Sequence, residues 1–124
     1  MPDFEYKIYE EVYNDIINGI KTVEFRLLND KSNSIKKGDR IKFKVVNDDE
    51  KYILVEVTNK YIYEDIDDLW THKEVLSNNI LSYTIEELIN AFYQIFGKEQ
   101  VLNSKIVGIE FKVLRWYYEK YICW

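Results

Sequence analysis

Apolar and polar residues alternate along five short stretches of the chain, and this pattern predicts five β-strands. In such a stretch every second side chain faces the core, and Val, Ile, Phe and Tyr fill most of those positions. The polar run Asn47-Asp48-Asp49-Glu50 separates the third stretch from the fourth, so we expect those two strands to form an antiparallel hairpin. The predicted strands are 4–9, 22–28, 40–46, 52–58 and 106–114.

Three other segments have apolar residues at helical spacing, and they predict helices at 10–18, 63–70 and 84–96. Gly19 is placed to end the first of them. Thr84 and Glu87 have the spacing of a capping box, which predicts that the third helix begins there and continues to Gly97. Residues 29–34, NDKSNS, have the composition of a loop.

These elements predict an α+β fold, namely a small, mostly antiparallel β-barrel or strongly curved sheet of about five strands with two or three peripheral helices. A parallel, doubly wound sheet needs regular alternation of strands and helices, which this pattern lacks. Because single domains cluster at roughly 100–150 residues, we expect the 124 residues to form a single domain.

Composition and charge narrow the function class. The chain is 47% hydrophobic, as in an ordered globular protein, and its one cysteine, Cys123, suits a reducing compartment. Neither a signal peptide nor a membrane span is visible, so we expect a cytoplasmic protein without a membrane partner. The net charge of −5 argues against indiscriminate coating of nucleic acid, although residues 21–47 hold eight basic and three acidic residues.

Residues 19–27, GIKTVEFRL, concentrate polar chemistry in a predicted strand. Thr22, Glu24 and Arg26 would share one face there, with Lys21 at its edge. Arg26 can bind a phosphate or carboxylate through two parallel hydrogen bonds, and Glu24 can accept from the exocyclic amine of a base. A partly desolvated Lys21 can act as a general acid. The alternative is a surface pair of Glu24 with Arg26, worth about 0–1 kcal/mol and without function.

Two tyrosines after the hairpin and the single histidine are further candidates for a site. Tyr61 and Tyr63 follow the hairpin, where they would either stack a nucleobase, at about 1–3 kcal/mol per base, or seal the end of the barrel. His72 has no second histidine or cysteine pair beside it, so we expect no metal site and no cofactor.

Two motifs and their order along the chain resemble the ASCH domain family, whose members have a PUA-like barrel. The first is GIKTVEFR at 19–26, and the second is IKKGDRIKF at 35–43. The final stretch, VGIEF at 107–111, is similar to the last strand of that family. The likeness spans residues 4–114 and leaves 115–124 as an aromatic extension.

This resemblance implies a cleft that holds a nucleotide or a segment of RNA and is lined by the strand of the first motif. We therefore predict an RNA- or nucleotide-binding domain. Its predicted ligand-binding residues are Lys21, Thr22, Glu24, Arg26, Tyr61 and Tyr63.

The resemblance also implies an alternative, because one branch of the family hydrolyses N4-acetylcytidine and other relatives are regarded as RNA-cleaving. That branch uses a lysine at the place of Lys21, a threonine three positions later and a glutamate before the helix that follows the hairpin. Here Glu24 occupies the threonine position, and the glutamate would fall near Leu81, with Glu74 as the nearest acid. In a hydrolase acting on a modified pyrimidine nucleoside or on RNA, Lys21 and Glu24 are the candidate catalytic residues.

The extension at 115–124 is rich in aromatic residues, which would form an adhesive surface if they were exposed. We expect it either to pack on the barrel or to form a subunit contact that makes a homodimer.

Overall fold

The computed structural model describes residues 2–72, 84–118 and 121–123, which form six strands and five helices. The strands are β1 (Phe4–Ile8), β2 (Val23–Leu27), β3 (Arg40–Val45), β4 (Asp48–Tyr63), β5 (Ile106–Tyr118) and β6 (Tyr121–Cys123). The helices are α1 (Glu10–Ile17), α2 (Asp30–Ser34), α3 (Ile66–Thr71), α4 (Ile85–Phe96) and α5 (Lys98–Leu102).

All six strands belong to one sheet in the order β1-β3-β4-β5-β2, with β6 paired to β5. β1 runs parallel to β3, and every other pair is antiparallel. The sheet curls into a half-barrel whose two edges are β1 and β2. The predicted α+β fold with a small, mostly antiparallel barrel is therefore confirmed, and two short helices, α2 and α5, add to the three that were predicted.

The predicted hairpin is formed by β3 and β4, but its turn is shorter than the sequence indicated. Only Val46 and Asn47 form the turn, and Asn47 has a φ of 65°, a left-handed conformation that asparagine tolerates. Asp48 already belongs to β4, so the predicted turn at 47–50 is wrong. β4 also continues to Tyr63, five residues beyond its predicted end at residue 58, and its register with β5 shifts twice, which bends the sheet.

The core has two parts, one inside the half-barrel and one between the sheet and the helices packed on its outside. Apolar side chains predicted to face inward on β3, β4 and β5 are buried inside, among them Phe43, Val55 and Ile109. A second cluster packs Val23 and Phe25 of β2 against α3, α4 and α5. β2 is thus covered on both faces, and its polar side chains are held near the interior.

Residues 29–34, predicted to be a loop, form the helix α2. Asn29 caps it: the amide of Ser32 donates to the Asn29 side chain, and the amide of Asn29 donates to Ser32 Oγ, both over 2.9 Å. This reciprocal capping box stabilises a helix whose composition favours a loop. At its other end, the ammonium of Lys60 donates to two carbonyls, those of Asn33 and Ile35, each at 2.9 Å.

The capping box predicted at Thr84 is present. The amide of Glu87 donates to Thr84 Oγ1 over 3.1 Å, and the amide of Thr84 donates to Glu87 Oε1 over 2.8 Å. This cap fixes the start of α4, which ends at Gly97 as predicted.

The chain beyond residue 114 continues the sheet. β5 extends to Tyr118, with the backbone of Tyr117 opposite Tyr52 of β4, and β6 turns back to pair with β5. The main chain of the extension thus adds to the sheet of its own barrel, while a homodimer through this extension stays a prediction. In the described part of the chain, no helix is long and apolar enough to cross a membrane.

We expect the buried hydroxyl of Ser32 to stabilise the fold. Besides capping α2, Ser32 Oγ donates to the carbonyl of Leu27 at the end of β2, over 3.0 Å. Replacement Ser32→Ala leaves that carbonyl and the Asn29 amide without these partners, and we expect the free energy of unfolding to fall by about 1–3 kcal/mol. Urea unfolding followed by tryptophan fluorescence measures this change.

Ser34→Ala is the matched control in the same helix. Ser34 is exposed, and its hydroxyl donates only to the carbonyl of Asp30, over 2.7 Å. Its removal is expected to change the free energy of unfolding by less than about 0.5 kcal/mol. Equal losses from the two substitutions would contradict a specific role for the buried hydroxyl.

Candidate functional site

The candidate site begins where α1 ends. Gly19 has a φ of +77°, which reverses the chain, and the amides of Ile20 and Lys21 both donate to the carbonyl of Asp15, over 2.9 and 3.1 Å. The chain then enters β2 at Val23. Lys21 therefore lies in the turn, two residues before β2 begins. Its side chain is directed towards Glu24 of β2.

Glu24 is the polar centre of the site. It is only 6% exposed and lies between two cations. Its Oε1 atom is 3.1 Å from Lys21 Nζ, and its Oε2 atom is 2.7 Å from Arg26 Nη2 and accepts a hydrogen bond of 2.8 Å from Arg26 Nε. The network is largely removed from water, so it differs from the exposed ion pair that was the alternative for these residues.

The electrostatics of this network keep Glu24 ionised. Burial by itself raises the pKa of Glu24, but the charges of Lys21 and then Arg26, together with their hydrogen bonds, outweigh it. The net effect is a pKa below the usual value of 4.5. At neutral pH the site therefore contains a buried carboxylate with a cation on each side.

Arg26 also reaches across the open seam of the half-barrel, which is the gap between the edge strands β1 and β2. Its Nη2 atom donates to the carbonyl of Lys7 in β1 over 2.9 Å, and its guanidinium lies 4.3 Å from the ring centre of Tyr6. Lys31 of α2 donates to the carbonyl of Glu5 in the same strand and lies 4.0 Å from the same ring. Two side chains thus take the place of a neighbouring strand along this edge of β1.

A cavity of about 310 Å³ opens beside the network. Its charged lining residues are Lys7, Lys21, Glu24 and Arg26, and β1 and the start of α1 form one side of it. The opposite side is an apolar wall. The residues of α4 that form this wall are Leu88, Ala91, Phe92, Ile95 and Phe96.

Two of the lining residues are unusually exposed for their size. Tyr9 and Ile95 are each 63% exposed, and both border the cavity. The sequence placed Ile95 on the apolar face of α4 and gave no indication that this face would line a site. The feature of the sequence that could have indicated it is the width of the apolar stripe on this helix. Leu88 and Phe92 of the stripe are buried in the core, whereas Ile95 is not.

Three of the six predicted ligand-binding residues, Lys21, Glu24 and Arg26, line the cavity. Thr22 does not, because it is exposed just before β2 and its carbonyl accepts from the amide of Phe111. Tyr61 and Tyr63 stack on each other on β4, with ring centres 6.5 Å apart, and neither borders the cavity. A role in binding for these three residues stays a prediction.

Tyr63 belongs to the core that β2 shares with the helices. It is 6% exposed, and burial raises its pKa to about 12, with smaller contributions from Tyr61, Asp68 and Glu110. Its phenol therefore stays protonated at neutral pH.

Of the positions that bear on catalysis, Lys21 and Glu24 belong to the described residues, and two others do not. Leu81 and Glu74, where the alternative places a glutamate, lie outside the described residues. Within the described part, Tyr9 is the only residue with a side-chain hydroxyl group among those that line the cavity. No cluster of three His, Cys, Asp or Glu side chains suited to a metal ion occurs among the described residues.

We expect the charge of Glu24 to stabilise the fold in a pH-dependent way. Glu24→Gln keeps the shape of the side chain but leaves Lys21 and Arg26 without their shared anion, and this should lower the free energy of unfolding by about 3 kcal/mol near neutral pH. The folded-state pKa is below the unfolded value, so the contribution is present above 4.5 and is lost as the pH falls through the folded pKa. The difference in the free energy of unfolding between wild type and Glu24→Gln should therefore shrink as the pH falls through the folded-state pKa of Glu24.

Urea unfolding over a series of pH values measures this difference. Glu64→Gln is the control, because Glu64 is exposed and its oxygen lies 3.4 Å from the exposed Lys105. We expect this control to change the free energy of unfolding by about 0–1 kcal/mol. A Glu24→Gln effect that stayed constant down to strongly acidic pH would contradict the assignment.

Solved structures similar to this chain include two proteins of comparable length. One is hypothetical protein PH0355, at 27% sequence identity and a TM-score of 0.73, with 90% of this chain and 98% of that chain covered. The other is protein PF0455 from Pyrococcus furiosus, at 25% identity and a TM-score of 0.66, with 90% and 96% covered. Neither a protein-family model nor a curated protein sequence matches this chain.

ASCH domain structures are also similar to it. The S128A mutant of ZmASCH from Zymomonas mobilis matches at 17% identity and a TM-score of 0.60, over 90% of this chain and 70% of that chain. At this identity the likeness concerns the fold. It confirms the expectation drawn from the two motifs: the chain has the fold of ASCH domain proteins, a PUA-like α+β half-barrel.

Proposed function

We propose that the protein binds RNA or a nucleotide, and that the cavity between β1 and α4 holds one nucleotide unit. The observation that carries this proposal is the composition of the cavity, which combines an ionised, buried Glu24 and its two cations with the apolar wall of α4. A nucleotide has the matching chemistry, since a flat apolar base is joined to polar edges and an anionic phosphate.

The size of the cavity supports a single unit. Small-molecule sites have volumes of about 300–1,000 Å³, and about 310 Å³ is at the lower end of that range. One base and its sugar fill such a space. In an RNA ligand, the rest of the strand would lie outside the cavity.

The chemistry of the lining residues suits each part of that unit. Phe92 and Phe96 offer aromatic contact to a base, and such contacts are worth about 1–3 kcal/mol. An ionised carboxylate has about four acceptor sites, so Glu24 can accept from an exocyclic amine while it stays bound to its cations. Lys21 is placed to donate to a phosphate or carbonyl oxygen.

A hydrolase is the second candidate function, and the pairing of Lys21 with Glu24 at 3.1 Å favours it. An ammonium and a carboxylate in contact at a cavity wall can exchange protons with a bound substrate. The substrate would be an acylated pyrimidine nucleoside or RNA. Because Glu24 occupies the position of the threonine in the N4-acetylcytidine hydrolases, the covalent chemistry of that branch is not carried over to this chain.

We expect wild-type protein to bind at least one member of a panel of ribonucleosides, their 5′-monophosphates and short RNAs. Ala91→Trp places a large side chain in the wall of the cavity without removing a charge, and it should lower the affinity at least about tenfold by occluding the ligand. Lys21→Ala should have a similar effect because a charged donor is lost. Isothermal titration calorimetry measures the affinities.

Lys105→Ala is the control for the loss of a lysine, since Lys105 is exposed and does not line the cavity. Thermal unfolding of each variant shows that it is folded. Wild-type protein that bound no member of the panel would overturn the proposed function.

The same samples distinguish a binding module from an enzyme. Chromatography of the panel, extended with N4-acetylcytidine, detects deacetylation and RNA cleavage. Turnover by wild type that is lost in Lys21→Ala would establish the hydrolase. Binding without turnover supports the module.

A further inference from the structure

The two cations beside Glu24 are held in different ways, and Arg26 is the more constrained. Its Nε and Nη2 atoms bind the carboxylate of Glu24, while Nη2 also donates to the carbonyl of Lys7. The face of the same guanidinium packs on Tyr6, at 4.3 Å from the ring centre. The planar group is therefore held along one edge and on one face.

Lys21 has donors to spare. An ammonium carries three N–H groups, and the contact of Lys21 Nζ with Glu24 Oε1 at 3.1 Å uses one of them. In the described part of the chain this is its single charged partner, and Lys21 lines the cavity. As far as the described residues are concerned, its other two N–H groups can therefore turn to a ligand without disturbing the network.

Turning Arg26 towards a ligand would break more contacts within the protein than turning Lys21 would. The buried Glu24 would lose one of its two cations, and the carbonyl of Lys7 would lose its donor at an unpaired strand edge. The seam between β1 and β2 would lose one of the two side-chain bridges described above. These contacts oppose the bidentate phosphate binding that the sequence suggested for Arg26.

We infer that Lys21 is the residue that contacts the phosphate of the ligand, and that Arg26 is a positioning residue. Arg26 orients Glu24 and joins the two edge strands, so it acts on binding through the shape of the site. This inference rests on the proposed function, because it assigns roles within the nucleotide cavity. It also specifies which of the two cations meets the ligand.

The test compares a ligand pair that differs only in charge: the tightest-binding nucleoside of the panel and its 5′-monophosphate. For an oligonucleotide ligand, the pair is the phosphodiester and its uncharged methylphosphonate. A residue that contacts the phosphate discriminates between the members of the pair. A residue that positions the site affects both members equally.

We expect Lys21→Met to lower the affinity for the charged ligand at least about tenfold more than for the neutral one, since a charge-assisted hydrogen bond is lost. Lys21→Arg should keep the preference for the charged ligand. Arg26→Gln should lower both affinities by the same factor, to within about twofold. Arg26→Lys should behave like Arg26→Gln, because an ammonium cannot make the same forked contacts.

A second readout separates positioning of Glu24 from a general loss of stability. The carboxyl carbon of Glu24 can be followed by NMR as the pH is lowered, and Arg26→Gln should raise the pKa of Glu24 by removing a cation and its hydrogen bonds. Lys105→Ala serves again as the control, with no change in either readout.

If Arg26→Gln or Arg26→Lys lowered the affinity for the charged ligand selectively, the inference would be overturned and the proposed function would remain intact. Equal losses for both ligands in Lys21→Met would also overturn it. If Arg26→Gln did not fold, the milder Arg26→Lys variant would decide between the two roles. Wild-type protein that bound neither member of any pair would overturn the inference together with the proposed function.

Discussion

The structure of the site depends on one ion network, in which the buried carboxylate of Glu24 is held between Lys21 and Arg26. A carboxylate that is 6% exposed has lost most of its hydration and needs compensation from the protein. Both of its oxygens are therefore committed to cations. This requirement directs Lys21 back from the end of α1 and holds Arg26 at the seam of the sheet, so one polar centre organises elements that are separate in sequence.

Among the described strands, β1 and β2 are the edges of the half-barrel, and the way they are joined determines where the cavity opens. Along β1, the carbonyls of Glu5 and Lys7 accept from Lys31 and Arg26 instead of from a strand. Such contacts protect an edge from pairing with another chain, and they also leave the sheet open. The cavity lies where the helices α1 and α4 flank this opening. An open seam bridged by side chains is therefore the structural basis for the candidate site in a fold this small.

The same network links the stability of the fold to the proposed binding site. Glu24 keeps a pKa below its usual value because two cations outweigh the effect of burial, so the carboxylate remains an acceptor throughout the neutral range. Its two partners are held differently: Arg26 contacts Glu24, the carbonyl of Lys7 and the ring of Tyr6, whereas Lys21 has one charged partner among the described residues. The proposed nucleotide site thus uses charges that the fold already requires.

The sequence by itself determined the local elements, because alternation and capping act between residues that are close along the chain. It predicted the strands, the hairpin and the cap at Thr84, and its first motif contains three residues that line the cavity. It did not identify α2, since the capping of Asn29 by Ser32 outweighs a composition typical of loops. The tertiary structure alone decided that Glu24 is buried while Thr22 is exposed, that α4 forms a wall of the cavity, and that Arg26 binds a carbonyl 19 positions away in sequence. Burial and edge-to-edge contacts depend on which strands end up as neighbours, and no local pattern contains that information.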